Sequence, residues 1–535
     1  MPNNVNAEAA WNYHEATKHS YTSVRTNPHS LDFDNQPLPF KIYPALEPSR
    51  MPTEVRQTGV AALSAIAGSV PAQTLVQTNT APDLEAVAQL LYLSAGITRQ
   101  RKYSGGEIYF RAAACTGALY EVELYLVCGD LGDLPAGVYH FAPAEFGLRR
   151  LRAGDCRSVL VEATGGEPAI AHAPLTIVCT CTYWRNAWKY QARTYRHFGW
   201  DNGTLLANLL AVATALGLPA KVVCGFVDSM VNGLLDLDSQ REVAFSLVAL
   251  GHDSGLSAQP APRVSPEVSP LSLETVPLSR HEIDYPLMRE MHAASSLDSA
   301  EEVAAWRGGT ALGHTELGRT GVTDFPPPTA PVARLQPLSD AEMPRDPIEQ
   351  VILRRGSSRQ FAHTPISLAQ LSTMLDRATR GVPADFIGPS FRDRFGSQLN
   401  HLYLIVHAVE GLDCGAYVFH RDRGVLECLK QGNFRDQAGY LGLEQQLPAD
   451  AAVDIFFLAD LRPIFDRFGN RGYRAVQLEA GILGGKLYLG AYAQRLGATG
   501  LTFYDDDVTR FFSPHAEGKS AIFLVAVGNS LKQRT

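Results

Sequence analysis

The chain has 535 residues, 45% of them hydrophobic and 19% charged, with a formal net charge of −8 and eight cysteines. That length exceeds a single core and predicts two domains of roughly 200 residues plus a connector, while the acidic balance offers no basic face to a nucleic acid. The start "MPNNVNAEAAWNYHEATKHS" lacks a signal-peptide core, no run of about eighteen apolar residues predicts a membrane span, and the cysteines form no CxxC or Cys/His cluster, so the sequence reads as a soluble cytoplasmic protein with no metal site.

In chain order, an amphipathic helix is predicted over Leu84–Ser94, followed by a pair of strands in "VELYLVCG" and "AGVYHFAP". A buried strand "LTIVCTC", a long and nearly all-apolar helix "GTLLANLLAVATALG" and a closing strand "AFSLVALG" complete the series. A stretch rich in Pro, Ser and Gly then reads as a connector crossing the surface, interrupted by a short helix near His281–Trp306. After it the series returns. "ELYLV" at Glu123 is matched by "HLYLI" at His401, "GVYHF" at Gly137 by "GAYVF" at Gly415, and "RTYRHFGWDNG" at Arg193 by "RGYRAVQLEAG" at Arg471, each at an offset of 278 (401 − 123, 415 − 137, 471 − 193). The helix "LEAVAQLLYLSAG" at Leu84 is matched by "LAQLSTMLDRATRG" at Leu368. The chain is a tandem duplication, with a first domain at 1–254, a connector at 255–345 and a second domain at 346–535. A helix that is apolar on every side must be covered on every side, so the two long helices belong at the centre of a domain or at a seam between domains.

The chemistry concentrates in a few stretches. "RRGSSRQF" (Arg354–Phe361) sets arginines around two hydroxyls and a glycine just before a helix. Guanidinium forks, hydroxyls and close backbone N–H groups suit a phosphate; the plainer alternative is an arginine-rich helix end making surface ion pairs. The first half has no equivalent collar, since "TKHSYTSVR" is at best a loose relative. "DDD" at Asp505–Asp507 reads as the start of a helix rather than a metal site. Arg193 and Arg196 recur as Arg471 and Arg474, so they read as structural or phosphate-directed. Asn208 is a buried amide that needs partners, with Lys486 at its place in the second half.

Taken in order along the chain, "YHEATKHS", "LPFKIYPAL", "RAAACTGALYEVELY", "WKYQARTYRHFGWDNG", "RRGSSRQF" and "GATGLTFYDDDVTRFFSPHAEGKS" make the sequence resemble a tandem SagB-type member of the FMN-dependent nitroreductase superfamily, the group that holds azoline-to-azole dehydrogenases of peptide natural-product pathways. The resemblance implies an α+β fold, an antiparallel sheet wrapped by helices. It also implies a family dimer formed here within one chain, with FMN at the seam. Carried over residue by residue, Arg355, Gly356, Ser357 and Arg359 would wrap the phosphate, with Lys519 lending charge. Cys115, Thr116 and Gly117 would lie against the flavin ring, although Ala114 and Cys115 stand where the family commonly has Pro and Ser. Gly500, Leu501 and Thr502 would offer backbone N–H groups to N5 or O4. Lys189 and Tyr190 would remove a proton beside the flavin, given a pKa lowered by burial or a neighbouring cation. Under the offset the second half carries Arg467 and Phe468 at that place. The collar survives in one half and the ring-facing loop in the other, which predicts one composite FMN site. The implied activity is an FMN-dependent oxidoreductase exchanging hydride with a small-molecule or peptide-derived substrate; the alternative is a decayed flavoprotein serving as a non-catalytic scaffold in a biosynthetic complex.

Overall fold

The computed structural model describes residues 4, 6–68, 79–103, 106–255, 268–308, 328–387 and 398–531. Each half builds one large antiparallel sheet. In the first, the spatial order is Ser49–Arg50, Gly147–Ala153, Gly137–Ala142, Val122–Cys128, Leu175–Thr182, Glu242–Leu250, Ala220–Val223. In the second it is Val332–Arg334, Val425–Gln431, Gly415–His420, His401–Val406, Val453–Ala459, Ser520–Ser530, with Phe361–Ala362 and Gly497–Leu501 both pairing with the last. The central strands are buried along their whole length, which is why they read as apolar runs rather than alternating strings.

The duplication extends to the register. Glu123 pairs with Thr180, and 278 residues on, His401 pairs with Leu458. The irregularity between Cys179 and Thr180 recurs between Phe457 and Leu458 (457 − 179 = 278), and the one between Val138 and Tyr139 recurs between Ala416 and Tyr417 (416 − 138 = 278). A bulge needs one extra residue at one place. Its recurrence at a fixed spacing means that the copies share a backbone, not merely a composition.

The two apolar helices, Thr194–Ala215 and Gly472–Ala493, pack against each other at the seam, and Thr194–Ala213 and Gly472–Ala491 are buried throughout. They cross at a pair of glycines. A Cβ on Gly203 would stand 2.5 Å from the Cα of Gly481, and one on Gly481 would stand 2.6 Å from the carbonyl oxygens of Gly199 and Trp200. Since 481 − 203 is again 278, each glycine touches its own copy, the signature of an isologous contact about a two-fold axis.

Two buried ionic clasps flank that crossing. Arg193 and Arg196 pair with Asp505 at 3.0 and 2.7 Å, and Arg471 and Arg474 pair with Asp228 at 2.6 and 2.7 Å. Each clasp joins arginines of one half to an aspartate of the other. The expected role of "DDD" changes accordingly: Asp505 does sit in the first turn of helix Asp505–Phe512, but its carboxylate is taken by the two guanidiniums rather than by the helix end.

The clasps also show where the repeat begins. Arg196 donates to the carbonyl of His14 and the hydroxyl of Thr17, while Arg474 donates to the carbonyl of His292 and the hydroxyl of Ser295. The N–H of Asp505 donates to the carbonyl of His19, whose own N–H donates to the Asp505 carboxylate, and Asp228 and Leu297 are joined in the same way. These pairs also differ by 278 (292 − 14, 295 − 17, 297 − 19). Helix Glu8–Ala16 is therefore repeated as Pro286–Ala294. The stretch read as a surface connector carries two helices, Pro286–Ala294 and Ala300–Gly308, and buries Met288, Met291, Val303 and Trp306 on them and Leu297 between them. Trp306, His292 and Ser295 bond residues of the second copy, while Leu297 and Arg307 bond Asp228 and Thr164 of the first, so this stretch is packed against both halves rather than crossing the surface. Among the described residues no helix is long and apolar enough to cross a membrane.

Candidate functional site

The collar sits where the sheet edge of the second copy meets the first copy. Ser358 is buried, its N–H bonded to Ala498 and its hydroxyl 3.1 Å from that of Ser530. This pins the collar to strand Gly497–Leu501 and turns its neighbours outward. Arg354 is consumed by Asp346 at 2.5 Å and by the carbonyl of Tyr492. Arg355 instead crosses the seam and donates to the carbonyls of Ala112 and Arg111 at 3.0 and 3.3 Å. Ser357 lies 3.4 Å from the hydroxyl of Tyr488, the same hydroxyl that accepts from the N–H of Gly500. A Cβ on Gly356 would meet only the hydroxyl of Tyr492, at 3.5 Å. Among the described residues neither Arg355 nor Arg359 has a carboxylate partner.

The ring-facing loop of the first copy is fixed from below by the seam helix. Asp201 accepts from the N–H of Thr116 at 2.9 and 3.0 Å and from its hydroxyl at 2.9 Å. The thiol of Cys115 lies 3.3 Å from Asp201 and 3.5 Å from Glu121, and Thr204 donates to the carbonyl of Ala114. Gly117 has φ of 63°, and a Cβ there would lie 2.9 Å from the hydroxyl of Tyr190. Both the backbone conformation and the overlying phenol require glycine.

Tyr190 is half-buried at the end of helix Tyr183–Tyr190, its ring set edge-on to His197 at 4.6 Å. Lys189 is exposed, its Nζ 5.3 Å from the Tyr190 ring. The expected lowering of the tyrosine pKa does not occur. Burial pushes it up, Asp201, Cys115 and Glu121 add to that, and Arg359 opposes them only weakly. The phenol therefore keeps its proton at neutral pH.

From the second copy, Leu501 is partly buried and the hydroxyl of Thr502 lies 3.2 Å from His19 Nδ1. Burial, with Arg193 nearby, brings the His19 pKa down to about 3. Lys519 is not part of this gathering. It precedes strand Ser520–Ser530 beside Asp460 and His401. Ala498, the partner of Ser358, pairs with Val527, so Lys519 lies eight residues away (527 − 519), on the order of 25 Å along the strand. The flexible reach of a lysine does not span that distance.

The arrangement thus brings together Arg355, Gly356, Ser357, Arg359, Gly500, Leu501 and Thr502 from one copy and Cys115, Thr116, Gly117, Lys189 and Tyr190 from the other. Sequence reading missed Tyr488, Asp201, Glu121 and His19. The available signal for Asp201 was its repetition as an acid, Glu479, which accepts from the N–H groups of Leu399 and Asn400.

The symmetry-related place is built differently. Trp306 lies between Phe468, at 5.3 Å, and Gly225, and its indole N–H donates to the carbonyl of Phe468. The N–H groups of Cys224 and Gly225 donate to the carboxylate of Asp385 at 2.8 Å each. Strand Ala220–Val223 and strand Gly497–Leu501 stand at an offset of 277, as do Asp228 and Asp505, so Cys224 and Gly225 are the counterparts of Leu501 and Thr502. An aromatic bicycle and an anion supplied by the protein itself occupy that side.

The family model for the nitroreductase family matches residues 78–252 and again 352–529. A nitroreductase homologue of Methanocaldococcus jannaschii is 25% identical over 31% of this chain and 80% of its own length. The trifolitoxin-processing protein TfxB of Rhizobium leguminosarum bv. trifolii is 30% identical over 30% of this chain and 45% of its own, and the microcin B17-processing protein McbC of Escherichia coli is 31% identical over 24% and 48%. The chain thus spans about half the length of these two peptide-processing relatives. A nitroreductase-type structure from Anabaena variabilis superposes over 98% of this chain and 99% of its own with a TM-score of 0.74 at 24% identity, a likeness of fold. With two matched regions, repeated registers and a glycine crossing on the two-fold axis, the chain belongs to the nitroreductase family as a tandem of two family domains.

Proposed function

We propose that the chain is an FMN-dependent oxidoreductase with one composite cofactor site at the seam, dehydrogenating an azoline-like heterocycle in a small or peptide-derived substrate. One observation carries this reading: Arg355 of the second copy is anchored on backbone carbonyls of the first, and neither it nor Arg359 is neutralised by a carboxylate among the described residues. Two uncompensated guanidiniums beside Ser357 and a glycine suit a phosphate dianion.

The same loop on the opposite side supports the ring position. There the N–H groups of Cys224 and Gly225 hold an acceptor and an indole lies against Gly225. Their counterparts Leu501 and Thr502 would hold the acceptor edge of a flavin in the same way. Bound there, FMN supplies a two-electron hydride acceptor, regenerated by dioxygen or another two-electron acceptor. The chain's own residues manage the proton. The Tyr190 phenol would donate a hydrogen bond toward the substrate face, and the exposed Lys189 beside it, as its free amine, would take the substrate's C–H proton and release it to solvent. Gly117 lets the phenol approach the loop, and Asp201 keeps that loop from moving.

The scaffold alternative is favoured by one feature, a Cys115 thiol turned to Asp201 and held protonated by burial and by the two adjacent carboxyls. The test separates the readings. Purified protein is expected to be yellow, and Arg355→Ala with Arg359→Ala to lose the colour without unfolding. Retention of flavin in that double variant would remove the phosphate assignment, and a colourless wild type that takes up no added FMN would leave the scaffold reading.

A further inference from the structure

Behind Tyr190 lies a line of buried polar side chains that the proposed chemistry has not yet used. Glu121 is buried at the foot of the ring-facing loop, and the Nδ2 of Asn186 donates to it at 3.3 Å. The Oδ1 of Asn186 accepts from Thr194 Oγ1 at 3.0 Å and from His197 Nδ1 at 2.8 Å. His197 then meets the Tyr190 ring edge-on. All three are essentially closed to solvent, and burying such groups costs stability even when they are bonded.

The second copy solves the same packing problem without them. Helix Tyr183–Tyr190 is repeated as Leu461–Phe468, and the seam helices and central strands keep the offset of 278. At the places of Glu121, Asn186, His197 and Tyr190 stand Leu399, Ile464, Ala475 and Phe468, all buried hydrocarbon. The fold can be built with hydrocarbon at all four places, so the polar set in the first copy is there for something else. The clasp residues, by contrast, keep their chemistry on both sides.

We propose that Glu121, Asn186 and His197 form a polar relay that positions Tyr190 and fixes its hydrogen bonding for the proton step; this rests on the oxidoreductase reading given above. Asn186 accepts from Nδ1–H of His197 and so leaves Nε2 as the acceptor nitrogen, while its amide hydrogens steady Glu121. Burial, with Arg193 nearby, keeps His197 neutral. Glu121 faces Asp201 in a buried site, and burial raises the pKa of both carboxyls; the hydrogen bonds of Thr116 oppose this only at Asp201, so the shared proton stays on Glu121, whose pKa Asp201 raises further. The other charged or titratable groups facing this pair and Tyr190 are Cys115, Cys181, Lys189 and Arg359.

The test replaces each residue by the one its copy carries: Glu121→Leu, Asn186→Ile and His197→Ala, singly and together. Each variant is read in three ways: flavin content, turnover of a thiazoline-containing model peptide, and ionisation of a polyfluorinated tyrosine placed at position 190. Flavin content is expected to stay within about two-fold, kcat to fall about 100-fold with KM little changed, and the midpoint at position 190 to move by about one pH unit. His197→Gln is expected to recover part of kcat. Unchanged kcat and an unmoved midpoint in the triple variant would overturn the relay. A wild type without flavin would sink the oxidoreductase reading, and the ionisation at position 190 would still report whether the relay acts on that phenol.

Discussion

Two regions of the molecule are related by the same two-fold axis and have diverged to very different degrees. At the clasps, Arg193, Arg196 and Asp505 on one side and Arg471, Arg474 and Asp228 on the other make matching bonds, down to the carbonyls of His14 and His292 and the hydroxyls of Thr17 and Ser295. At the seam pockets, Tyr190 faces a glycine loop in one copy while Phe468 faces an indole in the other. The difference separates what holds the halves together from what one half does. An ionic contact that both copies need cannot drift, because leaving one buried guanidinium unpaired is expensive. Under the proposed single site, the unused pocket can drift provided that something fills it, and Trp306 and Asp385 lie there.

The largest expected effect breaks the conserved side of that comparison. Asp228→Ala and Asp505→Ala each leave two buried arginines facing no carboxylate and should each cost about 3–5 kcal/mol, read as a lowered unfolding temperature. They should differ at the site. Asp505 also anchors His19, which bonds Thr502, so only its loss should weaken flavin binding. Equal effects on the flavin would mean that the clasps do not sit asymmetrically with respect to the cofactor. Trp306→Ala belongs to the same range, about 3–5 kcal/mol, because the indole is fully buried between Phe468 and Gly225. It should leave flavin content unchanged; loss of the flavin would tie that side to the working site.

A smaller effect tests the axis. Gly203→Ala drives a methyl into the Gly481 backbone and should cost about 1–3 kcal/mol, with Gly481→Ala alike. A marked inequality between the two would show that the crossing is not symmetric. Acid sharpens the clasps further. Burial alone would raise the Asp228 pKa, but Arg471 and Arg474 bring it down to about 2. A carboxylate depressed in the folded state stabilises above its unfolded value near 4 and loses that contribution as pH falls toward 2, on the order of 2 kcal/mol. Stability should therefore drop between pH 4 and 2. Asp228→Asn should flatten that slope, and an unaltered acid transition would mean the pair contributes no linkage.

How much of this was legible in the sequence follows from the same contrast. The strands and seam helices could be found because burial on both faces leaves apolar runs, and the runs repeat at one spacing. The repeat of the first helix was hidden. Between Glu8–Ala16 and Pro286–Ala294 little more than His14 and His292 agrees, because its job is to present backbone carbonyls to arginines, and a carbonyl leaves no mark on residue type. The arginines themselves were visible as a repeated pair, but their aspartates were not, since Asp505 looks like any acidic helix start. Lys519 shows the reverse error, in which a motif near in sequence lies at the wrong end of a strand. The polar line behind Tyr190 comes from a loop and two helices, so no spacing unites it. It emerges only when the two copies are laid over one another and polar residues are found facing hydrocarbon.

The smallest expected effect is the most pointed. Arg467→Lys with Phe468→Tyr restores the Lys–Tyr pair on the altered side, and by motif alone it ought to create a second active centre. The surroundings argue otherwise. Leu399, Ile464 and Ala475 offer the new phenol nothing to bond, the indole of Trp306 lies across it, and the N–H groups of Cys224 and Gly225 are already given to Asp385. A phenol introduced into such hydrocarbon pays for its burial and does no chemistry. Under the proposed single site, flavin per chain should stay at one, and turnover should stay at the wild-type value. A second equivalent of flavin in that variant would mean that two side chains, rather than the whole polar setting around them, decide which half of this molecule is the working one.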